Sequence, residues 1–311
     1  MSKGLVLLNM GGPNNLDEVE VFLTNMFNDP RIITVKSDFL RSIIAWAITK
    51  SRKKEATENY KALGGKSPLV GYTQNLVEKL QRALPDTCVT FAMRYTPPFA
   101  DEAVKELLTH GVKDVSVIPL YPHYSSTTTQ SSIEDFMKYA GESFESIVVK
   151  ERFFEHDGYN EAVCESIKAA LGEDNASEYE LIYSAHSLPQ KIIDNGDPYQ
   201  SEILAHGDIL TKMLEEKGLF FASKVVAYQS KLGPVKWLQP ELGHTLEGMK
   251  DKKVLIVPIA FTIDNSETEF ELHVEYREVA DRIGVKDYRV APCPNASEPF
   301  VAALLDIYKT L

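Results

Sequence analysis

The sequence has few cysteines, fewer basic than acidic residues, and no long apolar run. Its three cysteines, Cys88, Cys164 and Cys293, lie far apart and form no C-x-x-C pair, which argues against a disulfide framework or a cysteine-ligated cluster. The net charge of −12 argues against nucleic acid as the main partner, because phosphate binding needs a basic face. No apolar run approaches the ~20 residues of a membrane-spanning helix.

The composition is that of a globular protein. The chain has 311 residues, of which 44% are hydrophobic and 25% charged, so disorder is excluded and two domains of ordinary size are expected. The N-terminus, residues 1–5, enters an apolar strand directly, without the pattern of a signal peptide. We therefore expect a cytoplasmic protein in a reducing compartment.

Short apolar, β-branched runs alternate with amphipathic helical stretches along the whole chain. Several runs are apolar throughout, as strands covered on both faces are. The predicted strands are Leu5–Asn9, Val89–Met93, Val115–Pro119, Ser146–Lys150, Glu180–Ser184, Lys224–Tyr228, Val254–Ile259 and Asp287–Val290. The predicted helices are Leu16–Asn25, Phe39–Ser51, Tyr72–Leu84, Phe99–His110, Ser131–Tyr139, Tyr159–Leu171, Ser201–Lys217, Thr268–Arg282 and Ser297–Thr310.

This alternation predicts an α/β fold of two similar Rossmann-like domains, each a parallel sheet of about four strands flanked by helices. We place the domains at residues 1–125 and 126–294, and the last helix, within 295–311, could return to pack on the first domain. Ligands of such folds bind beyond the carboxyl ends of the strands. Polar residues follow most of the predicted strands, so we expect one cleft lined from both domains.

Carboxylates recur at every fourth position after the strand that ends near Ile259. Glu267, Glu271 and Glu275, here called the acidic ladder, fall on nearly one helix face, where like charges at i,i+4 are destabilising. A helix dipole favours acidic residues in the first turn, which explains Asp264 and Glu267 but not the later two. The ladder therefore predicts a track for a cation or for protons.

His186 follows the predicted strand Glu180–Ser184. A single histidine at a strand end is more often a hydrogen-bonded structural residue than a ligand. The acidic ladder follows another strand of the same half, so the two could face each other. An imidazole with a carboxylate is a minimal site for a divalent metal such as Fe(II), and the same pair could remove protons from weak N–H acids.

Several common motifs are incomplete. Gly65-Lys66-Ser67 resembles the end of a P-loop, but position 60 is tyrosine and Pro68 follows. No G-x-S-x-G elbow surrounds Ser184 or Ser187, and His273 is not part of H-E-x-x-H. Nucleotide binding, serine hydrolysis and zinc proteolysis therefore lack their required residues.

Residues 37–54 form an amphipathic stretch that ends in a basic run. It could be a core-facing helix with a solvated basic end. However, Trp46 beside clustered lysines and arginines, in a protein of net charge −12, also suits an anionic membrane surface or a lid over an apolar, carboxylated ligand. We therefore treat 37–54 as a candidate peripheral contact with the cytoplasmic face of a membrane.

Taken together, several segments resemble the ferrochelatase family over nearly the whole chain. The matching segments are Leu8–Pro13, Leu63–Leu69, Arg94-Tyr95, Pro119–Ser125, Ser184–Pro189, Tyr228–Leu238 and Asp264–Glu275. The segments Ser-Ala-His-Ser-Leu-Pro, Gln-Ser-Lys and Asp-x-x-Glu-Thr, in this order and at these separations, are highly specific. The resemblance implies insertion of Fe(II) into protoporphyrin IX, the last step of haem synthesis, by two Rossmann-like domains with a porphyrin cleft between them.

The resemblance also implies roles for individual residues. By position, His186 matches the family's active-site histidine and Glu267 its metal-site glutamate, so this pair is expected to bind metal and to act in catalysis. Glu271 and Glu275 match the acidic face of a widened helical turn that conducts metal or protons, a path to which we also assign Asp264. The residues that match porphyrin-lining segments are Met10, Arg94, Tyr95, Tyr121, Ser125, Lys231 and Trp237.

Some features bear on the substrate and on cofactors. Met10 and the apolar stretch 37–54, which matches the lip of membrane-associated members, favour protoporphyrin over coproporphyrin. The cysteine set of members with a [2Fe–2S] cluster is absent, so no permanently bound cofactor is expected, and Fe(II) is a substrate. Some relatives have histidine where this chain has Asn265, whose role stays open.

Two alternative functions remain. One is another tetrapyrrole chelatase, inserting cobalt or nickel, or using coproporphyrin. The other is a non-catalytic carrier of a tetrapyrrole on the same scaffold. A carrier needs an axial ligand but no acidic ladder, so the ladder is the feature that separates a carrier from an enzyme.

Overall fold

The structure, a computed structural model, describes residues 2–231 and 233–311. The chain forms two compact units. The first unit comprises residues up to 121, together with 125–152 and 305–311, and the second comprises 122–124 and 153–304.

The first unit contains a four-stranded parallel sheet with the strand order β2-β1-β3-β4. Strand β1 lies inside the sheet, with Leu5 opposite Val89 of β2 and opposite Ser116 of β3. The elements of this unit are β1 (Lys3–Asn9), α1 (Glu18–Phe27), α2 (Asp38–Ala62), α3 (Leu69–Ala83), β2 (Thr87–Met93), α4 (Ala100–Thr109), β3 (Asp114–Pro119), the π-helix π1 (Ser126–Gln130), α5 (Ser131–Ala140) and β4 (Ser146–Val149).

The second unit repeats this arrangement with the order β6-β5-β7-β8, again all parallel. Its elements are α6 (Asp157–Leu171), a 3₁₀ turn (Ala176–Glu178), β5 (Tyr179–His186), α7 (Gln190–Asp194), α8 (Tyr199–Glu216), β6 (Ser223–Gln229), α9 (Leu242–Glu247), β7 (Lys253–Pro258), the π-helix π2 (Glu267–Glu275), α10 (Tyr276–Ile283) and β8 (Asp287–Val290). The last helix, α11 (Glu298–Lys309), begins in the second unit and ends in the first.

The strands form where the sequence offers continuous apolar runs. Every residue of β2 is buried, and in β5 all but the terminal His186 are buried. Such strands are covered by helices on both faces, which explains why their sequences do not alternate between apolar and polar residues. All eight predicted strands are present, and the prediction of two parallel-sheet α/β units is confirmed.

The predicted boundary between the domains differs from the structure. Residues 126–149 belong to the first unit, because Asp114 of β3 pairs with Ser146 of β4. The boundary after residue 125 was therefore too early. The last helix packs on the first unit only in part, since residues 305–311 belong to it while the preceding residues of α11 belong to the second unit.

Three helical features differ from the sequence-based prediction. Helix α2 continues to Ala62 rather than ending near Ser51, since neither glycine nor proline occurs in it. The short helices α7 and α9 were not predicted. The segment predicted as one α-helix, Thr268–Arg282, begins instead as the π-helix π2 and becomes α-helical at Tyr276.

Within residues 2–231 and 233–311, no helix combines the length and the apolar content that are needed to cross a membrane. Helix α2 is the longest, at 25 residues. It exposes an apolar group on its N-terminal half: Phe39, Leu40, Ile43, Ile44 and Trp46.

Candidate metal and proton site

His186 is the last residue of β5, a strand inside the second sheet. It pairs with Gln229, the last residue of β6. The hydroxyl of Tyr199 donates a hydrogen bond of 2.9 Å to the backbone carbonyl of His186, which fixes the strand end. The His186 side chain is 37% exposed, so it projects from the carboxyl edge of the sheet, where ligands of such folds bind.

The π-helix π2 brings the acidic ladder to the same edge. Asn265 stands at its start: the Asn265 side-chain oxygen accepts a hydrogen bond of 2.8 Å from the backbone N–H of Glu267. In return, Thr268 Oγ1 accepts a bond of 3.0 Å from the backbone N–H of Asn265. This reciprocal capping resembles a capping box, and it gives Asn265 a structural role in orienting the turn that carries Glu267.

His186 and Glu267 form a direct pair, with 2.6 Å between Nδ1 and Oε2. Because a carboxylate only accepts, Nδ1 carries the proton, and in the neutral ring Nε2 is then the basic nitrogen. Burial lowers the pKa of His186, but the charge of Glu267 and its hydrogen bond outweigh burial and raise that pKa above its ordinary value of 6.5. The imidazole is thus adapted to hold a proton beside a carboxylate.

Ser230 connects the first two carboxylates of the ladder. It follows β6 with a φ of 66°, in the left-handed region that residues other than glycine seldom adopt. In this conformation Ser230 Oγ lies 2.5 Å from Glu271 Oε2 and 3.3 Å from Glu267 Oε2. One hydroxyl therefore stands between both carboxylates.

Gln229 supports this arrangement from below. Its side-chain oxygen accepts a hydrogen bond of 2.6 Å from Ser184 Oγ, which sets the amide orientation. Its Nε2 then lies 3.4 Å from Glu271 Oε2 and 3.5 Å from the carbonyl oxygen of Glu267. Gln229 is fully buried, so its amide is held in place and supports the start of the acidic ladder.

The ladder changes from protected to solvated along π2. Glu267 has a side chain 15% exposed, Glu271 is half-buried, and Glu275 is exposed. Burial, followed by the charge of Glu267, raises the pKa of Glu271 to about 8, although the hydrogen bond from Ser230 acts in the opposite direction. A carboxyl group with this pKa accepts and releases protons near neutral pH.

Asp264 does not join these contacts. Its Oδ2 accepts a hydrogen bond of 2.6 Å from Asn295 Nδ2, and its Oδ1 accepts one of 3.2 Å from the backbone N–H of Cys293. Asp264 is also buried. It therefore holds the chain after β8, and its place in the acidic path stays a prediction.

The other predicted residues of the second unit lie near the site but contact it little. Lys231 is exposed, and its Nζ forms an ion pair of 2.6 Å with Glu241. Trp237 is half-buried and pairs in an isolated antiparallel bridge with Pro189, three residues after His186.

In the first unit, Arg94 and Tyr95 follow β2 and converge on one buried carboxylate. Arg94 Nη2 lies 3.0 Å from Asp29 Oδ2, and the hydroxyl of Tyr95 donates a bond of 2.9 Å to the same oxygen. The Asp29 side chain is 1% exposed, and Tyr95 is 4% exposed. Tyr95 is thus a buried residue that orients the Asp29 carboxylate, and its assignment to a porphyrin-lining segment stays a prediction.

The remaining three predicted residues differ in accessibility. Ser125 is buried, and its hydroxyl accepts a hydrogen bond from the backbone N–H of Thr127. This hydrogen bond caps the start of π1. Met10 and Tyr121 are half-buried, with 3.0 Å between Tyr121 Oη and Ser132 Oγ. Met10 and Tyr121 are therefore the more accessible of these three side chains.

The predicted site residues did not include four contributors: Ser184, Tyr199, Gln229 and Ser230. Tyr199, Gln229 and Ser230 contact His186 or the ladder, and Ser184 acts through Gln229. These contacts join residues that are distant in sequence, so periodicity could not reveal them. A signal existed for Ser230, since a polar residue directly after a buried strand is placed at the ligand edge of the sheet.

A family model for ferrochelatase matches residues 2–310 of the chain. The chain belongs to the ferrochelatase family. It is similar to the ferrochelatase of Nitratiruptor sp., with 58% identity over 99% of this chain and 100% of the relative. It is also similar to the ferrochelatase of Sulfurimonas denitrificans, with 53% identity over 98% of each chain. This chain is therefore a metal chelatase, an enzyme that inserts iron into a porphyrin in haem synthesis.

Solved structures that resemble this chain share its fold at low identity. SirB from Bacillus subtilis matches with a TM-score of 0.59 and 11% identity, over 99% of this chain and 95% of SirB. CbiX, described as the terminal enzyme for biosynthesis of siroheme in denitrifying bacteria, matches with a TM-score of 0.55 and 11% identity over 99% of each chain. These likenesses confirm a chelatase-type α/β fold.

Proposed function

We propose that the chain inserts Fe(II) into protoporphyrin IX to give protohaem, with release of two protons, at the His186–Glu267 pair. The observation that carries this assignment to particular residues is the 2.6 Å contact between His186 Nδ1 and Glu267 Oε2. This contact joins the end of β5 to the start of π2, through two residues that lie 81 positions apart in sequence. A nitrogen and a carboxylate oxygen form the donor set that suits Fe(II).

The pair can also take up the protons that metallation releases. A porphyrin receives a divalent metal only when two pyrrole N–H groups lose their protons. With Nδ1 bonded to Glu267, His186 Nε2 is the nitrogen that accepts a proton, and the carboxylate stabilises the imidazolium that forms. The raised pKa of His186, which Glu267 causes, is consistent with this role.

The acidic ladder is proposed to carry protons from the pair to solvent. Glu267 and Glu271 approach the same Ser230 hydroxyl, and Glu275 follows at the exposed end. A proton moving outward thus passes from a protected carboxylate to a half-buried one whose pKa is raised to about 8, and then to a solvated one. Removal of the protons prevents their return to the porphyrin.

We also propose a location, a cofactor state and a membrane contact for this enzyme. The enzyme works in the cytoplasm without a permanently bound cofactor or an iron–sulfur cluster, and residues 37–54 touch the membrane surface. The support for this contact is the exposed group of Phe39, Leu40 and Trp46, next to Lys50, whose Nζ lies 5.0 Å from the Trp46 ring centroid. Apolar side chains beside cations suit the interface of an anionic bilayer.

The test is turnover of protoporphyrin IX by the purified enzyme under anaerobic conditions. We expect the porphyrin spectrum to convert to that of protohaem over many equivalents with Fe(II), and to that of the zinc porphyrin with Zn(II), since both ions accept histidine and carboxylate donors. Binding of one equivalent of porphyrin without turnover would move the assignment to a carrier. Turnover with Co(II) or Ni(II) but not with Fe(II) would move it to a different tetrapyrrole chelatase.

A further inference from the structure

Three potential metal ligands of different type meet in the first unit, on chain segments unrelated to His186 and Glu267. One ligand atom each from Cys88, Glu106 and His110 lies within 4.8 Å of the others. Cys88 belongs to β2, Glu106 to α4, and His110 is the C-cap residue directly after α4. A thiol, a carboxylate and an imidazole together form a donor set typical of Zn(II) and similar first-row ions.

We propose that Cys88, Glu106 and His110 form a second metal site, for Zn(II) or a closely similar divalent ion, that fastens β2 to the end of α4. This site is independent of the proposed chelatase reaction. Water completes the four-coordinate shell that three protein ligands leave open.

The carboxylate is oriented before any ion arrives. Thr90 lies two residues from Cys88 and therefore faces the same side of β2. Its hydroxyl donates a hydrogen bond of 2.6 Å to Glu106 Oε2. Partners of this kind, which bond a ligating carboxylate from behind, commonly set the geometry of metal sites.

The imidazole is oriented by its own helix. His110 Nδ1 lies 2.9 Å from the backbone carbonyl oxygen of Glu106. A carbonyl only accepts, so Nδ1 is the protonated nitrogen and the ring is held in the tautomer whose Nε2 bears the lone pair. Glu106 and His110 lie four residues apart at the C-terminal end of α4, where the helix dipole favours a cation.

The distances require only small adjustments. Zinc bonds of about 2.0–2.3 Å at tetrahedral angles place ligand atoms ~3.5 Å apart. In the structure the three ligand atoms lie within 4.8 Å of one another. Cys88 is buried on a strand, so it stays in place. Glu106 and His110 are exposed and can move by the ~1 Å that closure needs.

An ion can reach these side chains from solvent. A groove of about 870 Å³ runs between α3, β2 and α4, and Thr90 and Glu106 line it. Glu106 and His110 are exposed, so the ion meets the carboxylate and the imidazole first and the buried thiol of Cys88 last.

Cobalt(II) tests the proposal, because a thiolate bound to Co(II) gives a charge-transfer band in the near ultraviolet. A site of histidine and carboxylate, such as His186 with Glu267, gives no such band. We expect one equivalent of Co(II) to produce the band in the full-length protein and Zn(II) to remove it by competition. The His186→Ala variant should give the same band as the parent.

Substitutions locate the site. Cys88→Ser should abolish the band, while Cys164→Ser, which changes another buried thiol, should retain it. His110→Ala changes an exposed side chain and should leave folding intact while weakening Co(II) binding at least tenfold. Thr90→Val should weaken binding by ~10- to 100-fold, as loss of a supporting partner does. A missing band in the parent, a band that persists in Cys88→Ser, or unchanged affinity in His110→Ala would overturn the proposal.

Discussion

The two units share one strand order but differ in chemistry at the carboxyl ends of their strands. The orders β2-β1-β3-β4 and β6-β5-β7-β8 are the same arrangement of first, second, third and fourth strand. The first strand ends in Asn9 in one unit and in His186 in the other. The second strand leads to Arg94, which is paired with Asp29, or to Ser230, which touches two carboxylates.

Each unit also has a π-helix after its third strand. In the first unit π1 carries uncharged serine, threonine and glutamine side chains, and in the second π2 carries four glutamates. The fold thus supplies a widened helical turn twice, and the side chains decide its chemistry. The first unit neutralises its buried charge internally, whereas the second keeps an excess of negative charge where cations and protons are handled.

We expect the largest effect on turnover from replacing His186, the histidine at the end of a strand in the second unit. His186→Ala should reduce turnover by ~10²- to 10⁴-fold, because a positioned base contributes that much, while the melting temperature and porphyrin binding stay close to the parent values. His244→Ala, at an exposed histidine of the same unit, is the matched control and should keep full activity. A His186→Ala variant that unfolds and loses activity only in proportion would make His186 structural.

The matching change in the first unit should act on stability. Arg94→Met leaves the buried Asp29 carboxylate without its cation and should cost about 3–5 kcal/mol in free energy of unfolding, measured by urea denaturation. Arg31→Met is the control, because its ion pair with Glu134 is exposed, at 36% and 49%, and such pairs contribute ~1 kcal/mol or less. Equal losses of unfolding free energy in the two variants would remove the distinction between the buried and the exposed ion pair.

Neutralising the acidic ladder should lower turnover in a graded way, with little effect on stability. Glu267→Gln should cost the most turnover, Glu271→Gln less and Glu275→Gln least, in the order of their distance along π2 from His186. Glu271→Gln and Glu275→Gln should hold the melting temperature level or raise it slightly, because like-charge repulsion is relieved. Glu267→Gln also weakens the hydrogen bond with His186 and should lower the melting temperature slightly. Glu278→Gln, at an exposed position of α10, controls for a general loss of negative charge. Full activity in all three ladder variants would remove the ladder from the mechanism.

The ladder also predicts how stability depends on pH. The pKa of Glu271 is raised to about 8 from an unfolded value of 4.5, so the native state binds the extra proton between these values. Stability therefore falls as pH rises from 4.5 to 8, the range in which this carboxyl group is ionised in the unfolded chain but protonated in the native one. The free energy of unfolding of Glu271→Gln should be close to that of the parent near pH 4.5. Above pH 8 it should exceed that of the parent by about 1 kcal/mol. A gain that is constant with pH would contradict the raised pKa.

We expect the smallest effects at Ser230, where two variants distinguish the role of the hydroxyl from that of the backbone conformation. Ser230→Ala and Ser230→Gly both remove the contact with Glu267 and Glu271 and should lower turnover by about tenfold, the equivalent of one charged hydrogen bond. The glycine variant should be more stable than the alanine variant by about 1 kcal/mol, because φ is 66°. Parent-like turnover in either variant would show that the two carboxylates need no hydroxyl between them.

Most of the fold could be predicted because its strands are continuous apolar runs. Their burial on both faces leaves a signal that does not depend on tertiary detail, and all eight were located. The short helices α7 and α9 were missed because five or six residues carry too little periodicity. The boundary at residue 125 was wrong because the pairing of β4 with β3 is a long-range contact.

The site was only partly predictable for a similar reason. His186 and Glu267 could be named from their strand ends and from the family resemblance, and the structure brings them within hydrogen-bond distance. Asp264 was assigned to the acidic path through the family resemblance, and its bonds to Asn295 and Cys293 are contacts that no spacing rule indicates. The place of Ser230 depends on a positive φ that its sequence does not signal.

The π-helix π2 also sets how this segment tolerates changes of length. Its hydrogen bonds span one residue more than those of an α-helix, so an aligned relative with one residue fewer between Glu267 and Tyr276 would form an ordinary helix there. Each residue of an α-helix turns by about 100°, so such a deletion before Glu271 would rotate Glu271 away from Ser230 while leaving the composition almost unchanged. Single-residue gaps in this segment therefore matter more than most substitutions.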